Sequence, residues 1–202
     1  LPGQNLIGIA YGMENGSPLE GKLENVQYFH DKGIRYITLT HSQSNHISDS
    51  SYDENKQWGG LSPFGQALIE EMNKVGMMID VSHVSDDAFY QIIDLSRVPV
   101  IASHSSLRHF TPDWERNMSD EMVKAIAKNG GVVQINFGSN FLINDNRVKD
   151  DSEEYIFADV ADVADHIDRV VSLTSIRHVG IGSDYDGVGD TLPTGLKNAS
   201  TY

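Results

Sequence analysis

This sequence predicts an α/β fold in which parallel strands and helices alternate, most simply a (β/α)8 barrel, on three observations. Short runs rich in Ile and Val recur along the chain, stretches with helical apolar spacing lie between them, and polar side chains follow the ends of four runs. An open sheet gathers its ligands at one switch point, whereas a barrel turns every strand end toward one mouth, so polar groups at four ends favour the barrel.

The runs are 6–10, 34–39, 77–81, 98–102, 132–135 and 179–182, and each reads as a strand buried on both faces, as helix-covered parallel strands are. Between them, 65–75 spaces Leu68, Ile69, Met72 and Val75 along one helical face, and 86–95 does the same with Phe89, Ile92, Ile93 and Leu95. Stretches 120–128 and 160–173 repeat the pattern. Ser85 and Ser119 stand as N-caps before acidic first turns, and Gly33, Gly76 and Gly130 follow helical stretches where C-cap glycines belong. A complete barrel has eight strands, so the two not visible are expected before Leu1, in a chain that starts inside a domain without an initiator Met. No low-complexity linker, repeat or second boundary interrupts residues 1–202, which read as a single domain; 144–155, with Asp150, Asp151, Glu153 and Glu154, reads as an exposed insertion.

Composition removes several functions. Against 15 Lys and Arg stand 29 Asp and Glu, a formal charge of −14, with no local basic cluster, so nucleic acid and anionic membrane surfaces are not expected partners. No apolar stretch approaches the roughly 20 residues of a membrane span. Cysteine is absent, which excludes disulfides, thiolate zinc sites and thiol nucleophiles but leaves the compartment open, cytoplasmic or periplasmic and extracellular alike. Any metal must be held by His, Asp or Glu.

His83 and His104 close successive strand runs and would point into the same mouth, where two imidazoles can hold a divalent metal. One histidine alone is more often a hydrogen-bonded structural residue; recurrence at strand ends reverses those odds. Glu14 follows the first run and could bridge two ions with its two oxygens, or serve as a turn residue in solvent. His41 ends the second run. Asp184, in Gly182-Ser183-Asp184, is placed to take or deliver a proton, while Asp186 beside Gly187 suits a turn. Arg116, in the loop after His104, could clamp a carboxylate bidentately or simply lie exposed. His30, His46, His109, His166 and His178 lack the strand-end setting. No nucleophile elbow, phosphate loop or dinucleotide fingerprint occurs, which disfavours covalent serine catalysis.

The blocks Glu14-Asn15-Gly16, Arg35-Tyr36-Ile37-Thr38-Leu39-Thr40-His41, Gly60-Leu61-Ser62-Pro63-Phe64-Gly65, Ile79-Asp80-Val81-Ser82-His83-Val84-Ser85, Pro99-Val100-Ile101-Ala102-Ser103-His104-Ser105-Ser106, Arg116-Asn117 and Gly182-Ser183-Asp184-Tyr185-Asp186-Gly187 together resemble the membrane (renal) dipeptidase family of metal-dependent amidohydrolases. The resemblance implies a zinc-dependent dipeptidase on a (β/α)8 barrel of the metal-dependent hydrolase kind. Two zinc ions are expected, with Glu14 bridging them and His83 and His104 binding one. It further implies that His41 contacts substrate and stabilises the oxyanion, that Arg116 binds the terminal carboxylate, and that Asp184 manages the proton and the substrate amine, while a metal-activated hydroxide attacks the peptide carbonyl. A homodimer is also expected. The family's His-x-Asp metal pair has no counterpart before Glu14, and His166-Ile167-Asp168 falls in a helical pattern where i and i+2 side chains diverge; the expectation is again a chain that starts past the first two strands and does not carry the whole metal shell. Rival readings are an amidohydrolase of N-acyl amino acids or other small amides, and a non-catalytic binding barrel.

Overall fold

The computed structural model describes residues 6–144 and 155–201. It forms two compact units, Leu1–Arg97 and Val98–Tyr202. The first unit runs β1 (Tyr11–Glu14), α1 (Glu24–Asp31), β2 (Ile34–Thr38), α2 (Pro63–Val75), β3 (Met78–Asp80) and α3 (Asp86–Leu95). The second runs β4 (Ile101–Ala102), α4 (Asp120–Asn129), β5 (Val132–Ile135), α5 (Ser139–Leu142), α6 (Val160–Leu173) and β6 (Val179–Ile181). Five of the six apolar runs contribute a strand, and the predicted insertion, apart from Asn144 and Tyr155, lies outside the described residues.

In the first unit β1, β2 and β3 pair in parallel, with Glu14 opposite Thr38 and Thr38 opposite Asp80. One row across the strand ends thus carries a carboxylate, a hydroxyl and a second carboxylate. The expected first strand is corrected. Residues 6–10 are not in it, because β2 begins at Ile34, which pairs with Tyr11, and leaves nothing opposite the residues upstream. Hydropathy supplies an apolar run but not its register. Burial on both faces is corrected too: Ile7 is 92% and Tyr11 65% exposed, and only Ile37, Thr38, Ile79 and Asp80 of β2 and β3 are fully enclosed.

Helix α2 packs against α1 and α3, and Leu68, Ile69 and Met72 from α2 join Ile79, Phe89 and Ile92 in a core with almost no exposure. Each such side chain stabilises the fold by roughly 1.5–3 kcal/mol. Helix α2 starts two residues earlier than its apolar spacing suggests because Ser62 Oγ accepts the Gly65 N–H at 2.9 Å with Pro63 in the first turn. Ser85 and Ser119 cap α3 and α4 as expected, and Gly76 and Gly130 end α2 and α4 in left-handed conformation. Helix α1 has no side-chain cap at Leu23 and only Val26 fully buried, so it leaves little periodic signal.

In the second unit β4, β5 and β6 are again parallel, with Ala102 opposite Val133 and Ile135 opposite Ile181. Val123 and Ile126 from α4 meet Val133 and Ile135, with Val163 and Val170 of α6 in the same core. An ion pair of Arg169 with Asp120 ties α6 to α4, and Asp159 opens α6 with a capping box to Asp162.

Candidate metal and catalytic site

Parallel strands carry their carboxyl ends to one side, and in the first unit Glu14, His41 and His83 follow from three neighbouring strands. Glu14 Oε1 lies 3.2 Å from His83 Nε2 and 3.8 Å from His41 Nε2, and the two imidazoles stack at 4.4 Å with a 34° tilt. One donor atom from each of the three lies within 4.8 Å of the others. Neutral imidazoles and a carboxylate at that spacing match the donor set of a borderline divalent ion. His83 is nearly buried and adopts φ 71, a left-handed conformation that L residues seldom hold.

Its turn is built from below. Asp80, fully buried, accepts the Ser82 N–H at 3.0 Å and the Thr38 hydroxyl at 2.5 Å, and Ser51 N–H donates to the His83 carbonyl at 2.8 Å. His41 is held through its carbonyl, which accepts the Ser50 hydroxyl at 2.5 Å, while its Nδ1 lies 2.9 Å from Ser42 Oγ. Asp49 organises this connecting loop. Burial alone would raise its pKa, but N–H groups of Gly60, Gln57 and Trp58 donate to its carboxylate and together bring it below the ordinary value.

The second unit holds the other predicted residues. His104 follows β4, with its Nδ1 2.7 Å from Ser103 Oγ. Arg116 is buried rather than exposed. It donates from Nη1 to Ser105 Oγ at 2.9 Å and from Nη2 to the His104 carbonyl at 2.8 Å, with its guanidinium 5.1 Å above the Phe141 ring. The flanking loop is pinned by Arg108, which donates to the carbonyls of Glu115 and Asn117, and by Asn117, whose amide donates to Thr111 Oγ1 and the Phe141 carbonyl. Asp184 sits after β6 at φ 55, and its Oδ2 accepts from Asn136 Nδ2 at 2.9 Å. Asp186 lies in the turn that the Gly187 N–H closes onto the Asp184 carbonyl.

His166 turns out to be a strut. Its Nδ1 accepts the Leu107 N–H at 3.1 Å, so Nε2 carries the proton and donates to the Leu142 carbonyl at 3.0 Å; burial brings its pKa down to about 4 and keeps it neutral. Sequence reasoning missed Asn136, Asp80 and Asp49. Asn136 stands just past β5 as His104 and Asp184 follow β4 and β6, but its amide neither titrates nor suits a borderline metal ion, so its residue type gives no signal.

A family model described as membrane dipeptidase, peptidase family M19, matches residues 2–202. The chain belongs to that family. It is 38% identical over 198 residues to an uncharacterized dipeptidase of Schizosaccharomyces pombe, covering 97% of this chain and 45% of that protein. It is 36% identical over 195 residues to dipeptidase 3 of Mus musculus, covering 95% and 37% respectively. Among solved structures, the probable dipeptidase PvdM from Pseudomonas aeruginosa superposes with a TM-score of 0.83 at 27% identity, over 94% of this chain and 60% of that one. A metallopeptidase from Rhodobacter sphaeroides, liganded with a phosphinate mimic of the dipeptide L-Ala-D-Ala, gives 0.79 at 27% identity, over 95% and 53%. The fold is thus the TIM-type α/β barrel of the M19 family, of which the described residues carry six strands. This chain spans less than half the length of the curated relatives it matches. M19 membership implies a metal ion, and the Glu14, His41 and His83 donors suit one.

Proposed function

We propose that the M19 protein to which this chain belongs is a zinc-dependent dipeptidase and that residues 1–202 form a single domain of it. The observation that carries this reading is the convergence of Glu14, His41 and His83 donor atoms at three strand ends in a chain of this family. Glu14, His83 and His104 are the residues that would hold zinc, and His41 would meet the substrate. Zinc, when bound, supplies Lewis acidity toward the peptide carbonyl and makes water more acidic.

The side chains do the rest. Arg116, its plane fixed by Ser105 and the His104 carbonyl, has one orientation in which to receive the C-terminal carboxylate of a dipeptide. His41 Nε2–H donates to the carbonyl oxygen as negative charge gathers on it. Asp184 takes a proton during attack and returns it to the departing amine. The dipeptide mimic bound by the Rhodobacter relative supports a dipeptide substrate, including one with a D-residue in second place.

Zinc content and hydrolysis of L-Ala-D-Ala by the full-length protein, with and without chelator, test the reading. About two zinc ions per chain and loss of cleavage on chelation are expected. Cleavage that survives complete chelation overturns it, and cleavage of N-acyl amino acids in preference to dipeptides replaces it with a related amidohydrolase.

A further inference from the structure

Asp184 is held by a residue that neither binds metal nor titrates. Asn136 is fully buried, and each of its polar ends has a fixed assignment. Its Oδ1 accepts the Gly138 N–H at 2.7 Å, which forces Nδ2 to the opposite side, where it donates to Asp184 Oδ2 at 2.9 Å. A flipped amide would set N–H against N–H at Gly138 and oxygen against oxygen at Asp184, so only one orientation is compatible with both neighbours. The backbone is anchored as well, since the Asn136 carbonyl accepts the Ser106 hydroxyl at 3.0 Å and Gly182 N–H bonds to the Ile135 carbonyl at 3.0 Å. On the other side of the carboxylate stands Gly187. A Cβ there would fall 2.2 Å from Asp184 Oδ1, well inside contact distance. The left-handed turn at Asp184 therefore folds the carboxylate between an amide donor and a position that is vacant because it is glycine.

We propose that Asn136 is the positioning residue of Asp184: its single hydrogen bond selects the carboxylate rotamer used for proton transfer, and Gly187 leaves the room that rotamer needs. This rests on the role assigned to Asp184 above. Asn136 acts through Asp184 alone, so its removal slows the chemical step and leaves substrate binding largely intact.

The test is a double-mutant cycle in the full-length, zinc-loaded protein with L-Ala-D-Ala as substrate. Asn136→Asp keeps the acceptor for Gly138 and replaces the amide donor with a second carboxylate facing Asp184, and should lower kcat by about tenfold or more with KM within about threefold. Asp184→Asn should lower kcat further, and adding Asn136→Asp to it should cause no additional loss. Gly187→Ala probes the same rotamer from the opposite side and serves if Asn136→Asp fails to fold; it too should reduce kcat selectively, with zinc content unchanged. A kcat within twofold of wild type for Asn136→Asp, or for Gly187→Ala if that variant alone folds, with Asp184→Asn impaired, overturns this inference and leaves the dipeptidase reading intact. Losses that add in the double variant overturn it as well, since they mark a structural residue. A fully active Asp184→Asn overturns both this inference and the role given to Asp184.

Discussion

His166 joins three segments of the second unit with two hydrogen bonds from one ring, and the one in which Nδ1 accepts the Leu107 N–H needs that ring neutral. Burial lowers its pKa from 6.5 to about 4, so the unfolded chain binds the proton more readily than the folded one. Its contribution is therefore complete above about pH 6.5 and declines as pH falls toward 4, by about 3 kcal/mol in total. Urea unfolding at pH 7 and at pH 4.5 should show that decline, and His166→Phe should be weaker at pH 7 yet lose less between the two pH values. Asp49 has a profile of the same sign in a lower range. Its pKa is depressed by the Gly60, Gln57 and Trp58 N–H groups, so its stabilisation is present above the ordinary carboxylate pKa and fades as the folded group protonates. Asp49→Ala leaves the buried Gly60 N–H and the part-buried N–H groups of Gln57 and Trp58 without their acceptor and should cost about 1–3 kcal/mol, seen as a lower denaturant midpoint.

Among the elements, the sequence was most legible where a side chain fixes a boundary. Ser85 and Ser119 marked α3 and α4 because a hydroxyl before an acidic turn has a local reason to be there, whereas α1 lacks such a cap. Asp159 with Asp162 is the strongest cap of the second unit, and Asp159→Ala should destabilise the protein by about 1 kcal/mol in thermal or urea unfolding. The β1 boundary failed for a reason outside the element itself. Its register depends on where β2 starts, and an apolar run such as 6–10 contains no statement about its neighbour. Gly65 was visible only as part of a resembling block, yet its role is a close approach: a Cβ would lie 2.1 Å from the Ile47 carbonyl oxygen. Gly65→Ala must therefore move backbone, and a loss of about 1–3 kcal/mol is expected on the same measurement.

For the whole molecule, the barrel is legible in the alternation of strands and helices and the candidate site in its conspicuous strand-end His and Asp, while the residues that support them, Asn136 and Asp80, look like ordinary polar residues until their partners are known. Supporting contacts are long-range in sequence, 48 residues apart for Asn136 and Asp184 and 42 for Thr38 and Asp80, and no local pattern encodes them. If zinc binds the Glu14 cluster, metal linkage should stabilise the full-length protein by about 2.7 kcal/mol at a hundredfold excess over Kd. Differential scanning calorimetry with and without chelator reads this directly, and Glu14→Gln should shrink the difference. Helices of the described residues are too short or too polar to cross a membrane. The left-handed backbone at His83 and Asp184, φ 71 and 55, has an evolutionary consequence. Each costs about 1 kcal/mol relative to glycine, but glycine at 184 would also strand the buried Asn136 amide, so a gene copy freed from the need to hydrolyse anything drifts toward glycine first at 83. Decayed descendants of such a duplication would be recognisable by what they hold at 83, before any loss of the fold.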